Sequence, residues 1–259
     1  MTLPDPAWKR VPLPRFHHRF AVIAHRGNHV AAPENSLPAL DAAIRCGADF
    51  VEVDLRTTRD GAIVVLHDGK LDRTTTAMGA LKERSLAELR TIRLRGTDGS
   101  QSRQTVPTFV EMLRRARGRV GFYLDCKDID PAAVAAIVDA HGMRERCVAY
   151  DDPEGCAAWR TAVPWMPSMT SPPADIRESD ALRTWLDRYP VEVLDGGTAW
   201  ITPELSDVAR RHGAVFWPDI MAPVENPELW SAALAMNVSG LQTDHPESLI
   251  AWLRATGRR

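Results

Sequence analysis

Short apolar runs recur along the chain, and between them lie segments whose apolar positions repeat at helical spacing. The runs cover residues 20–24, 50–54, 120–124, 147–150, 165–169, 191–194, 215–217 and 238–242. Several are almost continuously apolar, the pattern of parallel strands covered on both faces. The intervening segments open with helix-start signals: Ser36 before Leu37, Ser85 with Glu88, Thr108 with Glu111, Asp130 before Pro131 and Thr202 before Pro203. Eight strands alternating with helices predict an α/β fold, a TIM (β/α)8 barrel. A doubly wound sheet would share the alternation, but no glycine-rich phosphate fingerprint follows the first strand.

One segment breaks the pattern. Arg59-Asp60-Gly61 joins residues 50–56 to residues 63–66 with no room for a crossover helix, so these strands must run antiparallel. Asp-Gly signals a hairpin turn. Centring the turn between Asp60 and Gly61 makes Asp54 face His67. The hairpin is expected to rise from the C-terminal face of the barrel.

Length allows one barrel: 259 residues against the roughly 250 typical of this fold. Residues 1–19, with four prolines and several basic residues, read as an arm across the barrel bottom, and residues 20–259 as one domain. The arm lacks the apolar stretch of a secretory signal. No internal repeat or low-complexity tract interrupts the chain. The longest clean apolar stretch, 132–138, is far short of the roughly 20 residues of a membrane span. A formal net charge of −2 excludes nucleic-acid binding by a bulk positive field. Cys46, Cys126, Cys147 and Cys156 form no C-x-x-C pair, so free thiols in a reducing, cytoplasmic setting are expected.

Candidate chemistry sits where barrel strands end, the usual location of active sites in this fold. The first strand ends His25-Arg26-Gly27. The second carries Glu52 and Asp54, two apart and so on one face. The hairpin returns His67-Asp68, the next barrel strand ends Asp125-Cys126-Lys127, and the last ends Thr243-Asp244-His245-Pro246. Three carboxylates in one mouth repel each other unless a cation joins them, and oxygen-only ligands favour Mg²⁺ or Ca²⁺. Two histidines beside them suit acid–base work near neutral pH. Arg26 and Lys127 could clamp a phosphate. Together these groups read as phosphoester cleavage.

At these residues the sequence resembles the glycerophosphodiester phosphodiesterases of the PLC-like barrel superfamily. The resemblance begins at Ala24-His25-Arg26-Gly27 and Pro33-Glu34-Asn35-Ser36. It continues through Gly47-Ala48-Asp49-Phe50-Val51-Glu52-Val53-Asp54, Thr58-Arg59-Asp60-Gly61, Val64-Val65-Leu66-His67-Asp68 and Leu71-Asp72-Arg73-Thr74-Thr75. It resumes at Val106-Pro107-Thr108-Phe109 and Gln242-Thr243-Asp244-His245-Pro246. It implies a TIM barrel that hydrolyses small-molecule glycerophosphodiesters to glycerol 3-phosphate and an alcohol with one divalent cation, as a monomer or homodimer. By motif position His25 and His67 match the acid–base pair, Glu52 and Asp54 metal ligands, Arg26 the phosphate contact, and Glu34 a group near the metal or the glycerol hydroxyls. The resemblance also implies that the substrate's own 2-hydroxyl attacks first, giving a cyclic phosphate.

The chain departs from the family pattern in three places. Asp125-Cys126-Lys127 stands for Glu-x-Lys, Tyr150-Asp151 for Ser-Phe, and Trp217-Pro218-Asp219-Ile220 for Trp-Thr-Val-Asn. The shorter Asp125 is expected to ligate the metal from closer in or through water, and Lys127 to contact substrate or pair with carboxylates. Trp217, a substrate-contact candidate, and Trp200 could stack on a choline-like cation. His17, His18 and His29 read as surface residues, His141 and His212 as helix-end residues, and Asp244 as a cap for the last helix. Two alternatives stand beside the phosphodiesterase reading: a lysophospholipase D acting on a lipid, and a barrel that only binds phosphate or metal.

Overall fold

The structure is a computed structural model, and it describes residues 10–16, 18–221 and 224–259. The strands are β1 Ala21–Ala24, β2 Phe50–Thr57, β3 Ile63–Val65, β4 Gly121–Asp128, β5 Cys147–Tyr150, β6 Ser168–Thr170, β7 Val193–Leu194, β8 Val215–Phe216 and β9 Gly240–Thr243. The helices are α1 Leu37–Cys46, α2 Leu86–Leu89, α3 Phe109–Ala116, α4 Pro131–Ala140, α5 Pro153–Ala162, α6 Ser179–Arg188, α7 Pro203–Arg211, α8 Pro227–Ala235 and α9 Pro246–Ala255. The parallel strands run in the order β8-β7-β6-β5-β4-β2-β1-β9. Backbone bonds from Ser239 N to Phe216 O and from Gln242 N to Pro218 O, both 3.0 Å, join the two ends of that path. The fold is a TIM barrel.

The capping signals are used as written. Ser36, Thr202 and Asp130 each accept a backbone N–H in the first turn of their helix. Ser85 and Thr108 form complete capping boxes with Glu88 and Glu111. Strand bounds differ at the end of β4, expected to residue 124 and found to Asp128, and at the start of β6, expected from residue 165 and found from Ser168. Pro164 and Pro167 lack the N–H that a ladder requires.

Side chains alternate along each barrel strand. Ile23, Phe50, Tyr123, Val148, Met169 and Val193 pack together inside the barrel. Their neighbours in sequence, such as Val51, Phe122 and Leu124, pack against α1 and α3–α5. Val22, Leu194, Phe216 and Leu241 pack against α6–α9. Carried one more step towards the strand ends, the inward parity meets polar residues: His25, Glu52, Asp54, Asp125, Lys127, Asp195, Asp219 and Gln242. That is how an apolar core gives way to a charged mouth. At the opposite end Leu13 and Phe16 pack on the interior residues, with Phe16 edge-on to Phe50 at 5.8 Å.

The β2–β3 hairpin corrects the expected register. Leu55 pairs Val65, Arg56 pairs Val64 and Thr57 pairs Ile63. Thr58 N donates to Ala62 O, and Gly61, at φ +81°, closes a three-residue loop. The expected two-residue turn was one residue too short. Asp54 therefore faces Leu66, whose N–H it accepts at 3.0 Å, and His67 lies one step further on. Between β3 and α3 the excursion buries its own small core of Val64, Leu66, Leu71, Leu81, Leu89, Leu94 and Val106.

Candidate active site

The turn after β1 is tightly specified. Arg26 has φ +51° and Gly27 φ +86°. A Cβ at Gly27 would lie 2.8 Å from the Ala39 backbone of α1, so only glycine lets the turn close on the helix. The strained Arg26 backbone presents its N–H to Glu52 Oε2 at 2.8 Å. Its guanidinium donates to Glu34 Oε1 at 2.8 Å and lies 3.4 Å from Asp54 Oδ2. Burial opposes the Arg26 charge, but Asp54, Glu34 and Glu52 outweigh it and raise its pKa. Asn35 Nδ2 fixes Asp54 Oδ2 at 2.7 Å.

Glu52, Asp54 and Asp125 converge: β2 and β4 set Asp54 beside Asp125, and all three offer an oxygen within 4.8 Å of one another. Glu52 and Asp54 are 2% and 1% exposed. Burial, then repulsion from Asp54 and Asp125, pushes the Glu52 carboxyl well above its usual range. Burial likewise raises Asp125. Lys127 Nζ contacts Asp125 Oδ2 at 2.5 Å and lies 3.6 Å from Asp54 Oδ1. Asp54 Oδ1 is buried with no hydrogen-bond partner. An orphaned carboxylate oxygen in an all-oxygen cluster fits a hard divalent cation such as Mg²⁺ or Ca²⁺.

Two imidazoles flank the triad, each held by a carboxylate at Nδ1. His25 Nδ1 lies 2.7 Å from Asp244 Oδ1. His67 Nδ1 lies 2.6 Å from Asp68 Oδ1. Arg73 grips both Asp68 oxygens at 2.8 and 3.0 Å and both Glu34 oxygens at 2.7 and 2.9 Å. The Arg73 bond first, then the His67 bond, holds the Asp68 carboxyl well below its usual range despite partial burial. At Asp244 burial pushes upward, and bonds from His25 and His29 overcome it, so it too titrates low. Glu225 steadies Asp244 by accepting its N–H at 2.9 Å and the Thr243 hydroxyl.

Most of the sequence candidates meet here: His25, Arg26, Glu34, Glu52, Asp54, His67, Asp125 and Lys127. Trp217 does not. Its ring is 1% exposed and packs inside the barrel on Phe50 at 4.9 Å and Phe16 at 6.5 Å, so it has no face for a ligand. Trp200 is 8% exposed, with Arg177 already over its ring at 5.5 Å. Asp244, expected as a helix cap, makes no cap bond; His245 occupies that position. His29, expected at the surface, donates from Nε2 to Asp244 Oδ1 at 2.9 Å. His17 lies outside the described residues, and His18 pairs with Asp49 at 3.0 Å. Asp68 and Arg73 lie within the quoted motifs but carry no catalytic or binding role there, and Glu225 lies in none of them. The adjacency His67-Asp68 was the available signal for Asp68; Glu225 reaches the site from a loop that carries no motif.

The fold and the charged mouth define a barrel whose carboxylate cluster could hold a metal ion beside two imidazoles. The chain belongs to the glycerophosphoryl diester phosphodiesterase family, whose model matches residues 25–167. A glycerophosphodiester phosphodiesterase of Bacillus subtilis is 32% identical over 144 residues, 51% of this chain and 45% of that protein. Human glycerophosphodiester phosphodiesterase 1 is 38% identical over 87 residues, 34% of this chain and 26% of that protein. The matches thus span less than half the length of these curated relatives. A glycerophosphodiester phosphodiesterase structure from Agrobacterium tumefaciens superposes with a TM-score of 0.78 at 26% identity, over 90% of this chain and 99% of that one. An Oleispira antarctica phosphodiesterase in complex with sn-glycerol-3-phosphate has the same fold, with a TM-score of 0.76 at 22% identity.

Proposed function

We propose that the chain hydrolyses glycerophosphodiesters to glycerol 3-phosphate and an alcohol, with a divalent cation held by Glu52, Asp54 and Asp125. The observation that carries this reading is the pair of imidazoles beside the carboxylate triad, each tied at Nδ1 by a carboxylate and each leaving Nε2 for substrate. When bound, the cation supplies Lewis-acid polarisation of the phosphoryl oxygens. Arg26 and Lys127 add positive charge where the phosphorane develops it as negative. One histidine takes the proton from the attacking oxygen, and the other delivers a proton to the departing alkoxide, so the pair ends with its protons exchanged and the P–O ester bond replaced. Asp68 and Asp244 stay ionised throughout and steady each imidazolium as it forms. If the substrate's 2-hydroxyl is the first nucleophile, a cyclic phosphate precedes the product. The relative from Oleispira antarctica, bound to the proposed product, supports the substrate class. The free cysteines support a reducing, cytoplasmic setting.

The test is release of glycerol 3-phosphate from glycerophosphocholine, glycerophosphoethanolamine, glycerophosphoglycerol and a lysophospholipid, with Mg²⁺, Ca²⁺ or EDTA. Turnover of a small diester that EDTA abolishes and His25→Ala suppresses is expected. Turnover of the lysophospholipid alone would move the reading to a lysophospholipase D, and metal binding without any turnover to a barrel that only binds. Single-turnover ³¹P spectra lacking a cyclic phosphate would remove that intermediate.

A further inference from the structure

The triad and the two imidazoles occupy one side of the mouth. The other side, formed by β6–β9, carries a second set of polar groups that the proposed chemistry does not use. Asp195 follows β7 and Asp219 follows β8, both on the inward parity of Val193 and Trp217. Gln242 on β9 has that parity too, since its neighbour Leu241 packs outward against the helices. Gln242 Nε2 donates to Asp219 Oδ1 at 2.7 Å, and Ser171 Oγ donates to Asp195 Oδ2 at 3.1 Å. Ser171 in turn lies 3.0 Å from the Tyr150 hydroxyl.

Among the described residues, Thr170 Oγ1, Trp217 Nε1, Asp195 Oδ1 and Gln242 Oε1 of this arc are buried without a partner, and the last two belong to its row of polar groups. Asp195 Oδ1 and Gln242 Oε1 are buried without a hydrogen bond, on residues 8% and 4% exposed. Both are acceptors, so what satisfies them must be a donor. The charge is unbalanced in the same sense. Asp195 acts on Asp219, and Asp125 acts on both, yet among the described residues neither carboxylate has a lysine, arginine or histidine ion pair. The cations nearest the mouth are committed elsewhere, Arg26 to Glu34 and Lys127 to Asp125. Tyr150 on β5 and Tyr123 on β4, their rings tilted with centroids 5.7 Å apart, lie between this wall and the triad.

We propose that this wall binds the primary ammonium of the leaving alcohol, so that diesters of amino alcohols are the preferred substrates. An ammonium offers the N–H donors that Asp195 Oδ1 and Gln242 Oε1 lack and the positive charge that the two carboxylates lack. A trimethylammonium offers the charge without the donors, and a neutral diol the donors without the charge. Burial first, and then mutual repulsion at Asp219, raises Asp195 to about 6 and Asp219 to about 8, the direction expected of carboxyls awaiting a cation. Tyr150 and Asp219 lie in two of the segments where the sequence departs from the motifs it otherwise resembles, which places this wall outside the shared chemistry.

The inference rests on the hydrolytic reading for its kinetic test. With Mg²⁺ saturating, kcat/KM for glycerophosphoethanolamine should exceed that for glycerophosphoglycerol about tenfold or more, the size of one charge-assisted hydrogen bond. Glycerophosphocholine should fall between them. Asp195→Asn and Asp219→Asn should each collapse the ratio towards one, chiefly by raising KM for the ammonium substrate. A wild-type ratio near one, or a ratio unchanged in both variants, overturns the proposal. Free ethanolamine provides a measurement that needs no variant. It should bind the wild-type protein in calorimetry at least tenfold more tightly than ethylene glycol. If no diester is hydrolysed, the hydrolytic reading fails while ethanolamine binding still decides this one; equal affinity for the two alcohols overturns it.

Discussion

At the scale of single residues, the site is a set of side chains whose orientation depends on neighbours with no direct part in chemistry. Asp244 is the clearest case. Its carboxylate bonds His25 and His29, and its backbone N–H is fixed by Glu225. Asp244→Asn should therefore lower kcat by about 10²-fold or more while KM changes little, because an amide can fix the wrong imidazole tautomer. Steady-state kinetics on a variant of unchanged melting temperature checks this. His25→Ala and His67→Ala should each cost about 10²–10⁴-fold in kcat, the span of general acid–base catalysis. Glu52→Gln should abolish calorimetric Mg²⁺ binding, since the amide removes one anionic ligand of three. At this scale the sequence was most legible where two reacting residues lie close along the chain, as in His25-Arg26 and Glu52-Val53-Asp54. It was least legible for Glu225, whose partner Asp244 lies 19 residues on and is met only through the fold. Trp217 misled for the same reason: a strand-end position does not reveal whether a side chain has inward or outward parity, or how deep it lies.

Elements follow local rules with little tertiary override. Every cap expected from Ser36, Ser85, Thr108, Asp130 and Thr202 forms, because a side-chain oxygen within three residues of an orphan N–H needs no distant partner. Thr108→Ala should cost about 1 kcal/mol, or about 2–4 °C in melting temperature for a chain of this class. The hairpin register was out of reach by one residue. Asp-Gly announces a turn, but whether its loop holds two residues or three depends on the conformation of Gly61 and not on its identity. Gly61→Ala tests that conformation cleanly. A Cβ there meets nothing within 4 Å, so the expected loss of about 1–2 kcal/mol is backbone strain alone at φ +81°. Urea denaturation would read it.

For the molecule as a whole, the apolar runs and their spacing were enough to give eight parallel strands and the TIM barrel, since parity and burial repeat in every βα unit. The mouth also sets how stability responds to pH. Asp195 and Asp219 titrate high in the folded state, near 6 and 8. A carboxyl raised by folding stabilises while protonated and loses that contribution as pH rises through its folded value. Asp68 and Asp244 titrate low, so their contribution is present above the usual carboxyl range and lost as pH falls. The metal-free protein should thus weaken as pH rises from about 4, the unfolded carboxyl value, with the Asp195 share lost by about 6 and the Asp219 share by about 8. Asp219→Asn should flatten that decline, raising the melting temperature more at pH 8 than at pH 5. Melting curves at the two pH values give the result, and a wild-type curve flat from pH 6 to 8 would contradict it.

The barrel wall is uneven around its circumference. β2 and β4 share seven registered pairs, whereas β7 and β8 have two residues each and meet their neighbours at two positions. Amide protons on the β6–β8 arc therefore have fewer cross-strand bonds to break before reaching solvent than those on β2 and β4. Hydrogen–deuterium exchange should proceed soonest along that arc, making it a compliant sector opposite a stiff one. The stiff sector carries Glu52, Asp54 and Asp125, so that motion of the compliant one need not disturb the carboxylate cluster.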